Sequence, residues 1–214
     1  MTLQPRLTDV RREQVQRAAL ECLVERGFRG PSVKDIAEHA GVSTGSLYHY
    51  FANKDDILLQ ALAMAFREAD AALREQVESA PHAGAEGRLP RYLQAAATMG
   101  RDHSEATRAL MAALGHTGAS TEVRDRLARL FGGFRSYAYD LLLEDAGAGA
   151  IPADSPVPAE RQAVAALIVA MGIGLACQWA VDPQAVDPDA AGEAFQRLWH
   201  TAGAGDDEDS QGGV

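Results

Sequence analysis

The sequence has only two cysteines, Cys22 and Cys177, and they lie in different predicted helices. This leaves no disulfide framework, and a chain of 214 residues can bury a sizeable core without one. The first residues also lack the charged and then apolar pattern of a secretory signal peptide. We therefore expect a protein of the reducing cytoplasm, with both cysteines acting as small buried hydrophobes. The alternative, a redox-sensing thiol, requires a reactive and partly exposed cysteine.

Motifs of common catalytic and metal sites are also lacking. The sequence has no phosphate-binding loop, nucleophile elbow, H-E-x-x-H or C-x-x-C pair. His103 and His116 are thirteen positions apart in separate predicted helices, which does not indicate a metal site. We expect no catalytic residue, no metal and no cofactor. An enzyme in the second half of the chain is an alternative that would need a titratable pair, and none is evident.

Positive charge is scarce, since the net charge is -10 and only two of the 20 basic residues are lysines. Such a balance argues at first against a nucleic-acid partner. Through Lys54, however, eight basic residues stand against six acidic ones, so that segment carries +2 and the remainder -12. DNA responds to the local potential, which is screened over about 10 Å. The N-terminal segment, which contains both Lys34 and Lys54, can therefore present a cationic face on an acidic protein.

Strand patterns are almost absent, because the apolar residues recur at helical spacing along the whole chain. The sequence predicts an all-α protein of about nine helices. Three helices fall within residues 1–54, and a long connecting helix follows over 55–80. A larger helical domain is expected over 81–202, after a break rich in Pro, Gly and His between Ala80 and Pro90. The acidic segment 203–214 is expected to be a disordered, solvated tail.

One segment, Ser32 to Lys54, has the sequence SVKDIAEHAGVSTGSLYHYFANK. Ser32 and Asp35 form a capping box for a short helix. Gly41 permits the positive φ that ends this helix, and Ser43 can cap the next one, which is expected to run through Ser46, Leu47 and Tyr50. The next helix opens with small polar residues, which let its backbone approach base edges in the major groove. The pattern therefore predicts a helix-turn-helix DNA-binding domain.

This segment resembles the signature of TetR-family transcription regulators, IA-x-x-AGVS-x-G-x-LYHYF-x-x-K, and clear resemblance covers roughly the first sixty residues. The resemblance implies that Leu47 and Phe51 lie in the core. The alternative is that Tyr48 and Tyr50 only cover the domain surface and that His49 is solvated. The DNA-facing residues that it implies are Lys34, Thr44, Gly45, Ser46, Tyr48 and His49, with Tyr50 and Lys54 on phosphates.

The resemblance also implies that the second domain binds a small effector and forms a homodimer through the last two helices, at about 159–181 and 188–200. The two helix-turn-helix domains of the dimer would then reach major grooves about 34 Å apart on a roughly palindromic operator. We expect a repressor that leaves DNA when an apolar or amphipathic molecule binds, although an activator fits the same features. A protein-interaction module that docks through the acidic remainder is a further alternative.

Candidate effector-binding residues are bulky or polarisable side chains on predicted inward helix faces, and for each of them ordinary core packing is the alternative. Gly132 and Gly133 disfavour a helix interior, so we expect a kink or a close contact with ligand there. The candidates are Tyr92, Met99, His103, Met111, Phe131, Phe134, Tyr137, Met171 and Trp179.

Residues 163–181 form an apolar run of nineteen residues that is long enough to span a membrane. Eight of the nineteen are Ala or Gly, which insert weakly, and no Lys/Arg cluster flanks the run. Ala166, Ala170 and Gly174 recur at a spacing of four, which lets another helix approach closely. We therefore expect a buried subunit interface and no membrane contact.

Overall fold

The computed structural model describes residues 7–79, 87–118, 120–147 and 157–203. Over these ranges the chain forms nine α-helices and no strand, so the predicted all-α class is confirmed. The expected acidic tail and most of the expected break after Ala80 lie outside the described residues. The helices are α1 (Leu7–Arg26), α2 (Val33–His39), α3 (Thr44–Leu47), α4 (Lys54–Glu78), α5 (Leu89–Asp102), α6 (Ser104–Leu114), α7 (Thr121–Gly147), α8 (Val157–Val181) and α9 (Pro188–Gly203).

Two glycines end the first two helices in the left-handed backbone region. Gly27 follows α1 with φ +69°, and Gly41 follows α2 with φ +65°. Glycine adopts this region without the steric penalty that a Cβ atom brings. The predicted end of α2 at Gly41 is therefore confirmed, and Gly27 ends α1 in the same way.

The first of two compact units comprises Met1–Asp70 and His103–Leu130. In this unit α1 packs against α2 and α6, and α2 packs against α3. The ring of Phe28 stacks on that of His116, with centroids 4.7 Å apart. The core is apolar and includes Val15, Ala19, Leu23, Ile36, Leu47, Phe51, Ile57, Leu58, Ala109 and Leu110.

This division differs from the expected domains, in which 81–202 was one body. The segment His103–Leu130 groups with the N-terminal helices instead. The physical reason is the packing of α6 on α1. The buried face of α6 contains several alanines, which allow two helices to pack closely. The compact units are therefore divided at positions other than 54 and 80, and the expected domain limits stay a prediction.

The second unit comprises Ala71–Asp102 and Phe131–Val214, and in it α5 packs against both α8 and α9. Gly100 lies where α5 and α8 approach closely. A Cβ atom at Gly100 would lie 2.4 Å from Cα of Ala176. The absence of a side chain at Gly100 therefore permits α5 and α8 to pack this closely.

Helix α8 is buried on one side and exposed on the other. The segment Glu160–Val181 contains an 18-residue window with a mean hydropathy of 2.1 and is long enough to cross a membrane by length and composition alone. Ala165 and Ile168 lie in the core, whereas Leu167 and Met171 are 63% and 39% exposed. Within one chain the helix is thus not buried all round, and it leaves an apolar face open.

Candidate nucleic-acid interface

The capping box predicted for α2 is present. The Oγ of Ser32 accepts the N–H of Asp35 at 3.1 Å, and Oδ2 of Asp35 accepts the backbone N–H of Ser32 at 2.7 Å. The Ser32 hydroxyl also donates to Oδ2 of Asp35 at 2.6 Å. This bond first, and the bond from the Ser32 backbone N–H second, hold the pKa of the Asp35 carboxyl below its ordinary value. The start of the supporting helix is therefore fixed by its own sequence.

Helix α3 is capped as predicted but is shorter than predicted. The Oγ of Ser43 accepts the N–H of Ser46 at 3.2 Å. The α-helical part ends at Leu47, after which the N–H groups of His49 and Tyr50 bond to carbonyls three residues back. Such bonds tighten the last turn of a helix. The expected helix through Tyr50 is thus replaced by a turn over its second half.

Alternation of burial orients the side chains of α3 and this turn. Leu47 is fully buried and Phe51 is 3% exposed, whereas Tyr48, between them, is 58% exposed. The two apolar residues therefore anchor the segment, and the Tyr48 ring lies on its surface.

The other residues expected to face DNA are distributed over the same segment. Thr44, Gly45 and His49 are exposed, while Ser46 and Tyr50 are half-buried. The Ser46 hydroxyl lies 3.0 Å from that of Ser43, so it belongs partly to the cap. The structure thus brings the α3 candidates onto one short stretch of surface.

The two lysines occupy different environments. The Lys34 side chain is 79% exposed and its ammonium lies 3.5 Å from Glu38, one turn along α2. Exposed pairs of this kind contribute little free energy, so Lys34 can exchange Glu38 for a phosphate. Lys54 is half-buried and is the first residue of α4, where free backbone N–H groups also attract anions.

Helix α1 supports this motif through contacts that the sequence did not indicate. The Nε2 of Gln14 donates to the carbonyl oxygen of Ala40 at 2.8 Å, at the end of α2. The ring of His39 contacts Glu21, with Nε2 and Oε2 2.5 Å apart. Gln14 lies 26 positions from Ala40, and no local pattern marks such a pair. These are positioning residues for the turn, and they were missed.

The aromatic effector candidates form a small cluster in the second unit. Tyr92 is buried and contacts Tyr137 edge-on, with ring centroids 5.6 Å apart. The guanidinium carbon of Arg74 lies 3.8 Å from the Tyr137 ring centroid. Phe134 is also buried, whereas Met99, Phe131 and Trp179 are half-buried. Aromatic side chains and a guanidinium are therefore brought together in this unit.

Other candidates do not join this cluster. His103 and Met111 belong to the first compact unit rather than the second. Met111 and Met171 are 36% and 39% exposed, so the expectation that they face inward is wrong for the single chain. The reason is that helical periodicity locates an apolar face but does not identify what covers it.

The glycine pair of α7 does not produce the expected kink, because α7 runs as one helix through both positions. A Cβ atom at Gly133 would meet nothing within 4 Å, and one at Gly132 would meet only the end of the Arg135 side chain. The pair therefore leaves open space beside α7.

The two cysteines are free thiols, Cys22 buried and Cys177 half-buried. Burial raises the pKa of both thiols above the ordinary value. A raised pKa keeps a thiol protonated and unreactive near neutral pH, which favours a structural role. Among the described residues, no group of three or more His, Cys, Asp or Glu side chains could hold a metal ion.

Comparison with known proteins supports the family resemblance. Residues 16–61 match the family model described as bacterial regulatory proteins, tetR family. The chain is also similar to the HTH-type transcriptional regulator BetI of Escherichia coli, with 34% identity over 107 residues. That alignment covers 50% of this chain and 53% of BetI, so it spans about half the length of this curated relative.

Solved structures show the same fold over nearly the whole chain. A TetR-family transcriptional regulator from Rhodococcus sp. has a TM-score of 0.74 and 25% identity, covering 90% of this chain and 98% of that one. The regulator FadR of Bacillus subtilis, solved with stearoyl-CoA, has a TM-score of 0.69 and 22% identity, covering 91% and 98%. These relatives are regulators rather than enzymes. The N-terminal part of the chain is therefore similar to the TetR family of bacterial regulatory proteins, and the chain shares the fold of a solved TetR-family regulator.

Proposed function

We propose that the protein is a ligand-responsive transcriptional repressor that binds a palindromic operator as a homodimer in the cytoplasm. In this proposal a small apolar or amphipathic molecule binds the second unit and releases the protein from DNA. The contacts to DNA come from Lys34, the exposed residues of α3 and its turn, and Lys54.

The observation that carries this proposal is the exposure of Tyr48 between two buried anchors, Leu47 and Phe51. The small residues Thr44 and Gly45 precede it at the exposed start of α3. A rigidly held helix start with small polar residues suits the major groove, and a tyrosine can contact a phosphate or a thymine methyl group. The segment thus combines rigid support with a free polar surface.

The exposed apolar faces of α8 and α9 support a homodimer. Leu167 and Val181 of α8 are 63% and 74% exposed, and Leu198 of α9 is 66% exposed. Ala166 and Ala170 lie on the same exposed side of α8, where small side chains allow a second helix to approach. Burial of these side chains against a second copy would provide the free energy of association.

The cluster of Tyr92, Tyr137 and Arg74 supports an amphipathic effector. Aromatic rings favour an apolar ligand body, and the guanidinium favours an acidic group at one end. FadR, with the same fold, was solved with stearoyl-CoA, a molecule with both features. From FadR we take only the chemical class of the effector that we propose for this protein.

A gel-shift experiment with the full chain and the DNA that flanks its own gene tests the proposal. We expect binding that depends on an inverted repeat, weakens steeply with added salt, and is lost when one half-site is scrambled. A complex that is equally strong on scrambled DNA, or no complex at low salt, would contradict the proposal. Mass spectrometry of co-purified small molecules then identifies the effector, whose addition should release the DNA.

A further inference from the structure

A surface cleft of about 440 Å³ lies within the first unit, between side chains of α1, α4 and α7. It is distinct from the aromatic cluster described above, whose residues belong to the second unit. Three arginines contribute to its wall, each from a different helix. The lining residues are Arg12, Gln16, Gln60, Ala63, Arg67 and Arg126.

Positive charge exceeds negative charge in this cleft. Among the ion pairs of the described residues, one reaches this lining, between Oδ1 of Asp56 and Nη2 of Arg126 at 3.9 Å. The neighbouring carboxylates of Glu13 and Glu68 both bind Arg17, at 3.1 and 2.8 Å, rather than the cleft arginines. A concave surface with excess charge of one sign concentrates ions of the other sign. This excess occurs in a chain whose net charge is -10.

The donors of the cleft converge on a neutral acceptor. The Nε and Nη2 of Arg12 both donate to Oε1 of Gln60, at 3.1 and 2.6 Å. The Nε2 of Gln16, a residue only 8% exposed, lies 3.3 Å from the same oxygen. A guanidinium that presents two adjacent donors matches the paired oxygens of a phosphate or carboxylate, and charged acceptors bind it more strongly than an amide does.

We propose that this cleft binds a phosphate-type oxyanion, held by Arg12, Arg67 and Arg126. The anion displaces the Gln60 amide oxygen from the guanidinium of Arg12 and neutralises the excess positive charge of the cleft. Its source is either a free anion or a phosphate of the DNA backbone, and the two sources predict different outcomes in solution.

The cleft is also connected to the turn between α3 and α4. The Nε2 of Gln60 donates to Oδ1 of Asp56 at 2.9 Å. The other oxygen of Asp56 accepts the backbone N–H of Ala52 at 3.0 Å, directly after Phe51. Movement of Gln60 or Arg126 therefore changes the partners of the carboxylate that holds this turn. Occupancy of the cleft is expected to alter DNA affinity through this connection.

Thermal unfolding of the full chain in inorganic phosphate tests for the site, with sodium chloride at matched ionic strength as reference. At about a hundred times its Kd, phosphate should raise the midpoint by about 5–10 °C. Arg67→Gln and the double variant Arg67→Gln/Arg126→Gln should lose this shift. Arg129→Gln, which removes an exposed arginine one turn along α7 from Arg126, should keep it. Far-UV circular dichroism checks that each variant folds.

Binding to DNA identifies the source of the anion. A free anion is indicated if phosphate changes operator affinity in the wild type but not in Arg67→Gln. A backbone phosphate is indicated if Arg67→Gln weakens binding to all sequences and reduces the salt slope by about 1. The proposal is overturned if Arg67→Gln behaves like Arg129→Gln both in its response to phosphate and in its salt slope.

Discussion

The carboxylate of Asp145 on α7 accepts the backbone N–H of Leu89 at 2.8 Å, where α5 begins. Its other oxygen accepts the N–H of Arg88, also at 2.8 Å, and the side chain is buried. The first N–H groups of a helix have no partner within that helix. Asp145 supplies the partner from another helix, and its charge also faces the positive end of the α5 dipole. It therefore joins two helices of the second unit.

Replacement of Asp145 by alanine should lower the free energy of unfolding by about 1–3 kcal/mol, because the buried N–H of Leu89 and the partly buried N–H of Arg88 lose their acceptor. Urea unfolding measures this value. Glu144→Ala is the matched control, since Glu144 is exposed and pairs with Arg88 at 3.0 Å. Exposed pairs contribute about 1 kcal/mol or less. Equal losses in the two variants would show that Asp145 does not act as a cap.

Glycine to alanine substitutions should have opposite effects at two helical positions of the second unit. Gly100→Ala places a Cβ atom 2.4 Å from Cα of Ala176, so α5 and α8 must separate. Overpacking of this kind costs about 1–3 kcal/mol. Gly133→Ala meets nothing within 4 Å and should stabilise α7 by up to about 1 kcal/mol. The thermal midpoints of both variants measure these effects. An unchanged midpoint in Gly100→Ala would contradict the close approach of α5 and α8 at this position.

The sequence predicted those features that depend on neighbours in the chain. Ser32 and Asp35, or Ser43 and Ser46, are three residues apart, so their hydrogen bonds are encoded locally. The positions of the helices were equally predictable, because burial along a helix follows a period of 3.6 residues.

Features that depend on distant residues were not predictable in this way. The contact of Gln14 with Ala40 joins positions 26 apart, and the packing of α6 on α1 joins segments separated by the whole of α4 and α5. For the same reason the grouping of the candidate effector residues was not predictable. Tyr92 and Tyr137 meet, whereas Met111 lies in the other unit.

Tyr48→Ala should weaken operator binding about tenfold, a loss of about 1.4 kcal/mol, with the thermal midpoint nearly unchanged. Tyr48 is 58% exposed, so it contributes contact area to DNA rather than to the core. Leu47→Ala is the contrasting variant, because Leu47 is fully buried and its truncation should cost about 2–5 kcal/mol of stability. Gel shifts and thermal unfolding measure the two effects. A large loss of stability in Tyr48→Ala would place this residue in the core.

The contribution of Asp35 to stability should depend on acidic pH in a defined direction. Its pKa is lowered in the folded state, below the ordinary value of 3.8, mainly by the Ser32 hydroxyl. The contribution is therefore complete above pH 3.8 and is lost as the pH falls through the lower folded pKa. An NMR titration of the Asp35 carboxyl should give this lowered pKa, and Ser32→Ala should raise it. An unchanged pKa in Ser32→Ala would contradict the assigned cause.

A charge placed on the exposed face of α8 should prevent self-association. Leu167 is 63% exposed in the single chain and lies beside Ala166 and Ala170 on the proposed dimer face. Leu167→Glu would bury a carboxylate without a partner in each subunit, which costs far more than the lost apolar contact. Analytical ultracentrifugation should show a monomer for this variant. Leu143→Glu, at a leucine of α7 that is 40% exposed, should remain dimeric. Since both variants add the same charge to the same unit, a dimer in both would exclude this face of α8 as the interface.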